Sequence, residues 1–152
     1  MTNPFPFSSN AVLTASQLNE IGSFDTWTPT FTGLTAQPTI GLAAYTEVND
    51  LVYYMMYVEI DSGDLPFTGS LTCTAPVPTS GAMTYMPQGQ AWLRPSGGTI
   101  FHGTQITTGN SIYFYGLSES GTYSTVSNVN ATVPATWTTD GDFWAMGWYR
   151  SA

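Results

Sequence analysis

The strongest periodic signal in the chain is Leu51 to Ile60, LVYYMMYVEI. It is free of Gly and Pro and rich in Val, Tyr and Ile, and at this length such a run reads as a strand rather than a helix. Alternation sets Val52, Tyr54, Met56, Val58 and Ile60 on one face and Leu51, Tyr53, Met55, Tyr57 and Glu59 on the other. Both faces are apolar, so the strand is predicted either to lie between two packed layers or to have its outer side covered by another chain. The last run, DFWAMGWYR, repeats the signature: Phe143, Ala145, Gly147 and Tyr149 oppose Trp144, Met146 and Trp148. Two such strands in one small chain point to an oligomeric interface.

The remaining elements follow from turn residues and shorter alternations. Asn49-Asp50 is a two-residue turn signal, so Ala44 to Val48 and Leu51 to Ile60 are predicted to form a hairpin. In TWTPTFTGL, Trp27, Pro29, Phe31 and Gly33 share a face, and Pro29 places the segment at a sheet edge. Further strands are predicted at Ser70 to Ala75, Ala82 to Met86, Gln90 to Arg94, Thr99 to Thr104, Ser111 to Tyr115 and Asp142 to Arg150. The prolines of Ala75-Pro76-Val77-Pro78 should lead the chain out of the sheet. Gly116 to Val133, poor in apolar residues, reads as a long exposed loop with at most weak strands.

Upstream, Thr14 as N-cap with Gln17 three residues on forms a capping box, with Leu13 and Leu18 as its hydrophobic staple and Gly22 as its stop. A helix of about two turns there has to dock to be stable. Before it, Pro4, Phe5, Pro6 and Phe7 mark an extended arm whose rings either fold back on their own domain or clasp a neighbour. The expected organisation is an arm over 1–12, a short helix over 13–22 and an all-β, antiparallel, jelly-roll-like β-sandwich over 23–152.

Composition narrows the function. At 152 residues the chain is one domain by length, with a net charge of −8 and Arg94 and Arg150 as its two strong cations. Phosphate backbones and anionic membrane surfaces are bound by clustered Lys and Arg, so neither nucleic acid nor membrane is an expected partner. The start, MTNPFPFSSN, lacks a basic region followed by an apolar stretch, and synthesis in a cytoplasm is expected. Cys73 stands alone in an apolar alternation and reads as a small buried hydrophobe; no metal or other cofactor is expected.

Catalytic inventory is thin. His102, the one imidazole, alternates with Phe101 in TIFHGT and reads as structural or surface, and no GxSxG elbow is present. Glu59, Asp61 and Asp64, and Asp140 with Asp142, flank glycines and serines, where solvated surface charge is the ordinary outcome; calcium ligation and a glycosidase acid pair are the competing readings. Tyr53, Met55, Tyr57, Trp144 and Trp148 read as core or interface, whereas Tyr85, Trp92 and Tyr123 lie nearer loops and are candidates for ligand contact, a glycan among them.

The order of LTASQLN at 13–19, TWTPTFTGL at 26–34, Tyr45 before VNDLVYY at 48–54, PVP at 76–78 and GWYR at 147–150 resembles a domain recurrent in tailed-bacteriophage virion proteins. The resemblance spans nearly the whole chain and implies a non-enzymatic virion structural protein of β-sandwich type, often trimeric. The chain lacks the repetitive shaft of the fibre members and is more similar to a decoration, or cement, subunit on a capsid. The expected partners are therefore sister subunits in a homotrimer and a major capsid or other virion protein, at the virion surface after synthesis in the host bacterium. The arm and helix residues Pro4, Phe5, Phe7, Leu13 and Leu18, with Tyr53, Met55, Tyr57, Trp144 and Trp148, are the expected contacts. A receptor- or glycan-binding tail module is the alternative, and a small polysaccharide-degrading enzyme the third reading.

Overall fold

The computed structural model describes residues 22–80, 88–120 and 123–152, and among them it is all-β, antiparallel and without a helix. The strands are β1 (Asp25–Thr26), β2 (Phe31–Thr32), β3 (Thr39–Val48), β4 (Leu51–Ile60), β5 (Thr72–Thr74), β6 (Gly89–Arg94), β7 (Phe101–Thr108), β8 (Ser111–Ser120), β9 (Tyr123–Asn128) and β10 (Gly141–Arg150). They form one strongly curled sheet, a half-barrel, in the order β1-β3-β4-β10-β6-β7-β8-β5-β2. The free side of β8 is shared: β5 pairs with its start and β9 with its end.

The curl follows from which rings meet. Phe31 on β2 and Phe143 on β10 stand five strands apart in the sheet order, yet their ring centroids are 6.1 Å apart, and Phe114 on β8 lies 5.2 Å from Phe143. The segment from β1 to β2 spans the two sheet edges. Trp27 donates its backbone N–H to Ala43 O of β3 at 3.2 Å, and its indole N–H donates to Thr74 O of β5 at 3.3 Å. Pro29, buried here, sits where the segment changes partner and no ladder N–H is needed.

The inner face carries the core. Val52, Tyr54, Met56, Val58 and Ile60 of β4 are all buried, as are Phe143, Ala145 and Tyr149 of β10, Ala91 and Leu93 of β6, and Ile112 and Phe114 of β8. Several polar core groups are paired: Tyr54 donates to Gln105 Oε1, and Thr107 N–H donates to Gln88 Oε1 at 2.7 Å. The Tyr149 hydroxyl accepts from Val77 N–H at 3.0 Å and donates to Val77 O at 2.7 Å, which holds the proline-spaced exit segment against the core.

The hairpin at Asn49-Asp50 is present with both residues at positive φ (50° and 63°), the primed turn that this dipeptide favours. β4 has the predicted bounds and β10 begins one residue earlier; β3, β7 and β8 run longer than expected and β5 shorter. The expectation of a long exposed loop with at most weak strands over 116–133 is corrected: β8 continues to Ser120 and pairs with β9 along its length, and Val129 is fully buried. Polar residues obscured that hairpin because it lies at a margin of the sheet, where alternation against a core is weak. The predicted arm, the helix over 13–22 up to Ile21, and the strand at 82–86 lie outside the described residues.

Candidate functional site

The face opposite the core is where the structure departs most from a monomer surface. Register places Leu42, Tyr57, Trp144, Trp92 and His102 side by side across β3, β4, β10, β6 and β7. The next row along is Ala44, Met55, Met146, Gln90 and Thr104, and the one after it Thr46, Tyr53 and Trp148. Phe24, one residue before β1, adds a ring beside Thr46 and Tyr53. Met146 is 62% exposed, Trp92 51%, Tyr53 45%, Trp148 41% and Trp144 38%. Single exposed apolar residues are ordinary; a contiguous patch of them across four strands marks a docking surface.

Two clefts share this face. One of about 300 Å³ is lined by Gln90, Trp92, Ile100, Trp144, Ala145 and Met146. The other, about 620 Å³, is lined by residues including Phe24, Tyr53, Met55, Met146 and Trp148. Gln90 and Met146 belong to both, so the two form a continuous groove across the sheet.

A polar cluster closes one end. Arg94 Nε donates to Asp142 Oδ1 at 2.9 Å and its Nη2 donates to Asp142 Oδ2, while its guanidinium lies 5.6 Å from the Trp144 ring centroid. Trp144 in turn stacks on Tyr57 with centroids 4.8 Å apart. The Tyr57 hydroxyl donates to Glu59 Oε1 at 2.8 Å, and this bond, with burial and the nearby Asp142 and Glu59 charges, pushes the phenol up to about 12. Bidentate pairing and ring stacking hold the aromatic rows in fixed positions without covering them.

Tyr53, Met55, Tyr57, Trp144 and Trp148, expected as interface, all fall on this outer face. Trp92, expected near a loop, sits in mid-β6 directly opposite Trp144 and belongs to the same surface. Tyr123 is the first residue of β9 rather than a loop residue, while Tyr85, Pro4, Phe5, Phe7, Leu13 and Leu18 lie outside the described residues. Sequence reasoning missed Leu42 and Ile100 as members of the face and set Met146 beside Trp144 and Trp148 without naming it among the contacts. Ile100 lies within the strand predicted at Thr99 to Thr104, but β7 begins one residue after it, at Phe101.

The carboxylates are not uniformly solvated, as their turn setting suggested. Asp64 is buried and accepts Asp61 N–H at 2.7 Å, so it ties a turn; Asp61 accepts the Thr39 hydroxyl at 3.1 Å. Asp142 is buried and held by Arg94. Among the described residues no three His, Cys, Asp or Glu side chains gather as metal ligands. Cys73 is buried, and burial pushes its thiol well above the ordinary range; His102 is exposed beside Trp92. A search of protein families, curated proteins and solved structures finds no match to this chain.

Proposed function

We propose that this chain is a non-enzymatic structural protein of a phage virion surface, a capsid decoration subunit that assembles as a homotrimer and is held to its neighbours and to the shell by the outer aromatic face. One observation carries the reading: the sheet has a closed, well-packed inner core and still presents Tyr53, Trp92, Trp144, Met146 and Trp148 in register on its outer side. Surface of that kind is retained when a second protein surface covers it. The engagement of Asp61, Asp64 and Asp142 in turn and ion-pair geometry supports a structural role over glycoside hydrolysis. The virion setting rests on the ordered motifs at 13–19, 26–34, 48–54, 76–78 and 147–150. The finer fold assignment, a jelly-roll-like sandwich, belongs to the same proposal and is supported by the 25–32 segment, which passes from pairing β3 to pairing β5 as a strand does at a sandwich corner.

Localisation on intact virions tests this directly. Antibody labelling or cryo-electron microscopy should find a lattice of copies over the head, and sedimentation should give a trimer mass. A few copies confined to the tail would overturn the decoration role in favour of a receptor- or glycan-binding module. The exposed Trp92 and Trp144 rings beside the Gln90 amide favour that second reading, because sugars stack on indoles flanked by hydrogen-bonding groups.

A further inference from the structure

We propose that β9 is an open sheet edge through which two copies of the chain join, pairing antiparallel about a two-fold axis at Val126. The inference goes beyond the decoration role and does not depend on it. Among the described residues β9 pairs with β8 and with no other strand. Val129 N–H, one residue past β9, donates to Phe114 O at 3.0 Å, which fixes the phase of the ladder. Opposed residues in an antiparallel pair alternate between hydrogen-bonded and non-hydrogen-bonded. Counting back from Val129 and Phe114, Ser127 and Thr125 turn their backbone groups toward β8, and the N–H and C=O of Ser124, Val126 and Asn128 point away from it. Asn128 O accepts the Asn130 side-chain amide at 3.1 Å and keeps a second lone pair.

Such an edge is ordinarily blunted by charge, proline or a bulge. β9 has none of these: Tyr123 to Asn130 holds no charged residue, Pro or Gly, and its register with β8 is unbroken. The other margins differ. β3 is bulged between Ile40 and Leu42 and partly covered by β1, and β2 is two residues long. A second copy is the occupant that the edge itself specifies. With Val126 opposite its counterpart, each Val126 exchanges both backbone bonds with the other, and Ser124 of either copy meets Asn128 of the other, so every outward group is used. No charge stands between Glu119 and Asp140, so chains that each carry −8 meet along a neutral segment. The edge lies away from the aromatic rows and stays open in a trimer built on them. Being isologous, the contact is used up once two chains have paired, and it then joins each subunit to one of a neighbouring trimer.

Residue-resolved amide hydrogen exchange on the full chain tests the pairing. The Val126 and Asn128 amides should exchange about 10-fold more slowly at millimolar than at low micromolar concentration. Val126→Ala keeps the backbone groups and should behave identically. Val126→Pro removes an outward N–H and none of the bonds to β8, so Asn128 should exchange fast at every concentration while Thr125 and Ser127 stay protected. Exchange at Val126 and Asn128 that does not respond to concentration in the unaltered chain overturns the proposal. Trp92→Ala, which weakens the outer face, should leave this protection in place, so failure of the edge and failure of the decoration reading are read separately. Should the proline also expose Thr125 and Ser127, the hairpin itself has opened and oxidation decides. Val126→Cys places Cα atoms about 5.5 Å apart across the two-fold, within disulfide reach, and should give a linked pair of chains. Leu117→Cys, one strand further in on each side, should not, and Cys73 is shielded in the core. No link at position 126, or equal links at both positions, overturns the pairing.

Discussion

Replacing Trp92 with Ala separates what this residue does within the subunit from what it does for assembly. The ring is 51% exposed, so nearly equal halves of its surface rest on neighbouring side chains and face solvent. A Trp side chain buries about 200 Å² when fully covered, which gives about 100 Å² to each half. At about 25 cal/mol per Å², and allowing for the Cβ that Ala keeps, each half is worth about 2 kcal/mol. Guanidinium denaturation of the dilute subunit should therefore show a loss of about 2 kcal/mol against its Trp144 and His102 neighbours. Sedimentation equilibrium should show association weakened by about 30-fold for each Trp92 buried at a contact. Val126→Ala, 55% exposed but on β9 away from the face, should leave association untouched. The expected stability loss with unchanged association would refute the assignment of this face to subunit contacts.

Other perturbations probe the supports of the face. Tyr149→Phe removes both hydrogen bonds to Val77 and should cost about 1–3 kcal/mol, visible as a lowered denaturation midpoint at unchanged m-value. Arg94→Met leaves the buried Asp142 carboxylate without its bidentate partner and should lower the denaturation midpoint, and adding Asp142→Asn should recover much of the loss. At alkaline pH the tyrosines set the sign. Burial raises Tyr54 and Tyr149, and the bond to Glu59 raises Tyr57 to about 12, above the unfolded value near 10. The contribution of Tyr57 is therefore full below about pH 10 and is lost as pH rises through about 12, while those of Tyr54 and Tyr149 start to fall above about pH 10 and are lost only at higher pH. Denaturation midpoints should fall across that window while tyrosinate absorbance lags behind that of the unfolded chain; a flat profile would refute it.

Legibility followed the reach of each signal along the chain. β4, β10 and the Asn49-Asp50 hairpin were readable because alternation and turn chemistry act over neighbouring residues. The place of Trp92 was not. Its membership of the face depends on β6 pairing with β10, fifty residues away, and nothing local to Gln90–Arg94 specifies that partner. Asp142 was misread for the same reason: beside Gly141 it looks like a turn carboxylate, and its burial is fixed by Arg94 on the adjoining strand. The β8–β9 hairpin failed differently, since Ser- and Thr-rich strands lack the contrast between faces on which period-2 reading depends.

The outer face is hard to explain as a by-product of strand propensity. Thr and Val satisfy the backbone preference of an exposed strand position as well as Trp does, and the chain uses threonine on the outer side of β7, at Thr104, within one strand of Trp92. Aromatic and long apolar residues are concentrated on β4, β10 and β6, and the row beyond Tyr57 and Trp144 changes abruptly to Glu59, Asp142 and Arg94. A boundary that sharp, drawn across three strands distant in sequence, is the pattern of a desolvated patch with a polar rim. The rim also orders the patch: Arg94 is bound to Asp142 and lies over Trp144, and Trp144 stacks on Tyr57, which is bonded to Glu59. Rings held in this way lose little side-chain entropy when covered, which lowers the cost of association and lets a small face bind tightly.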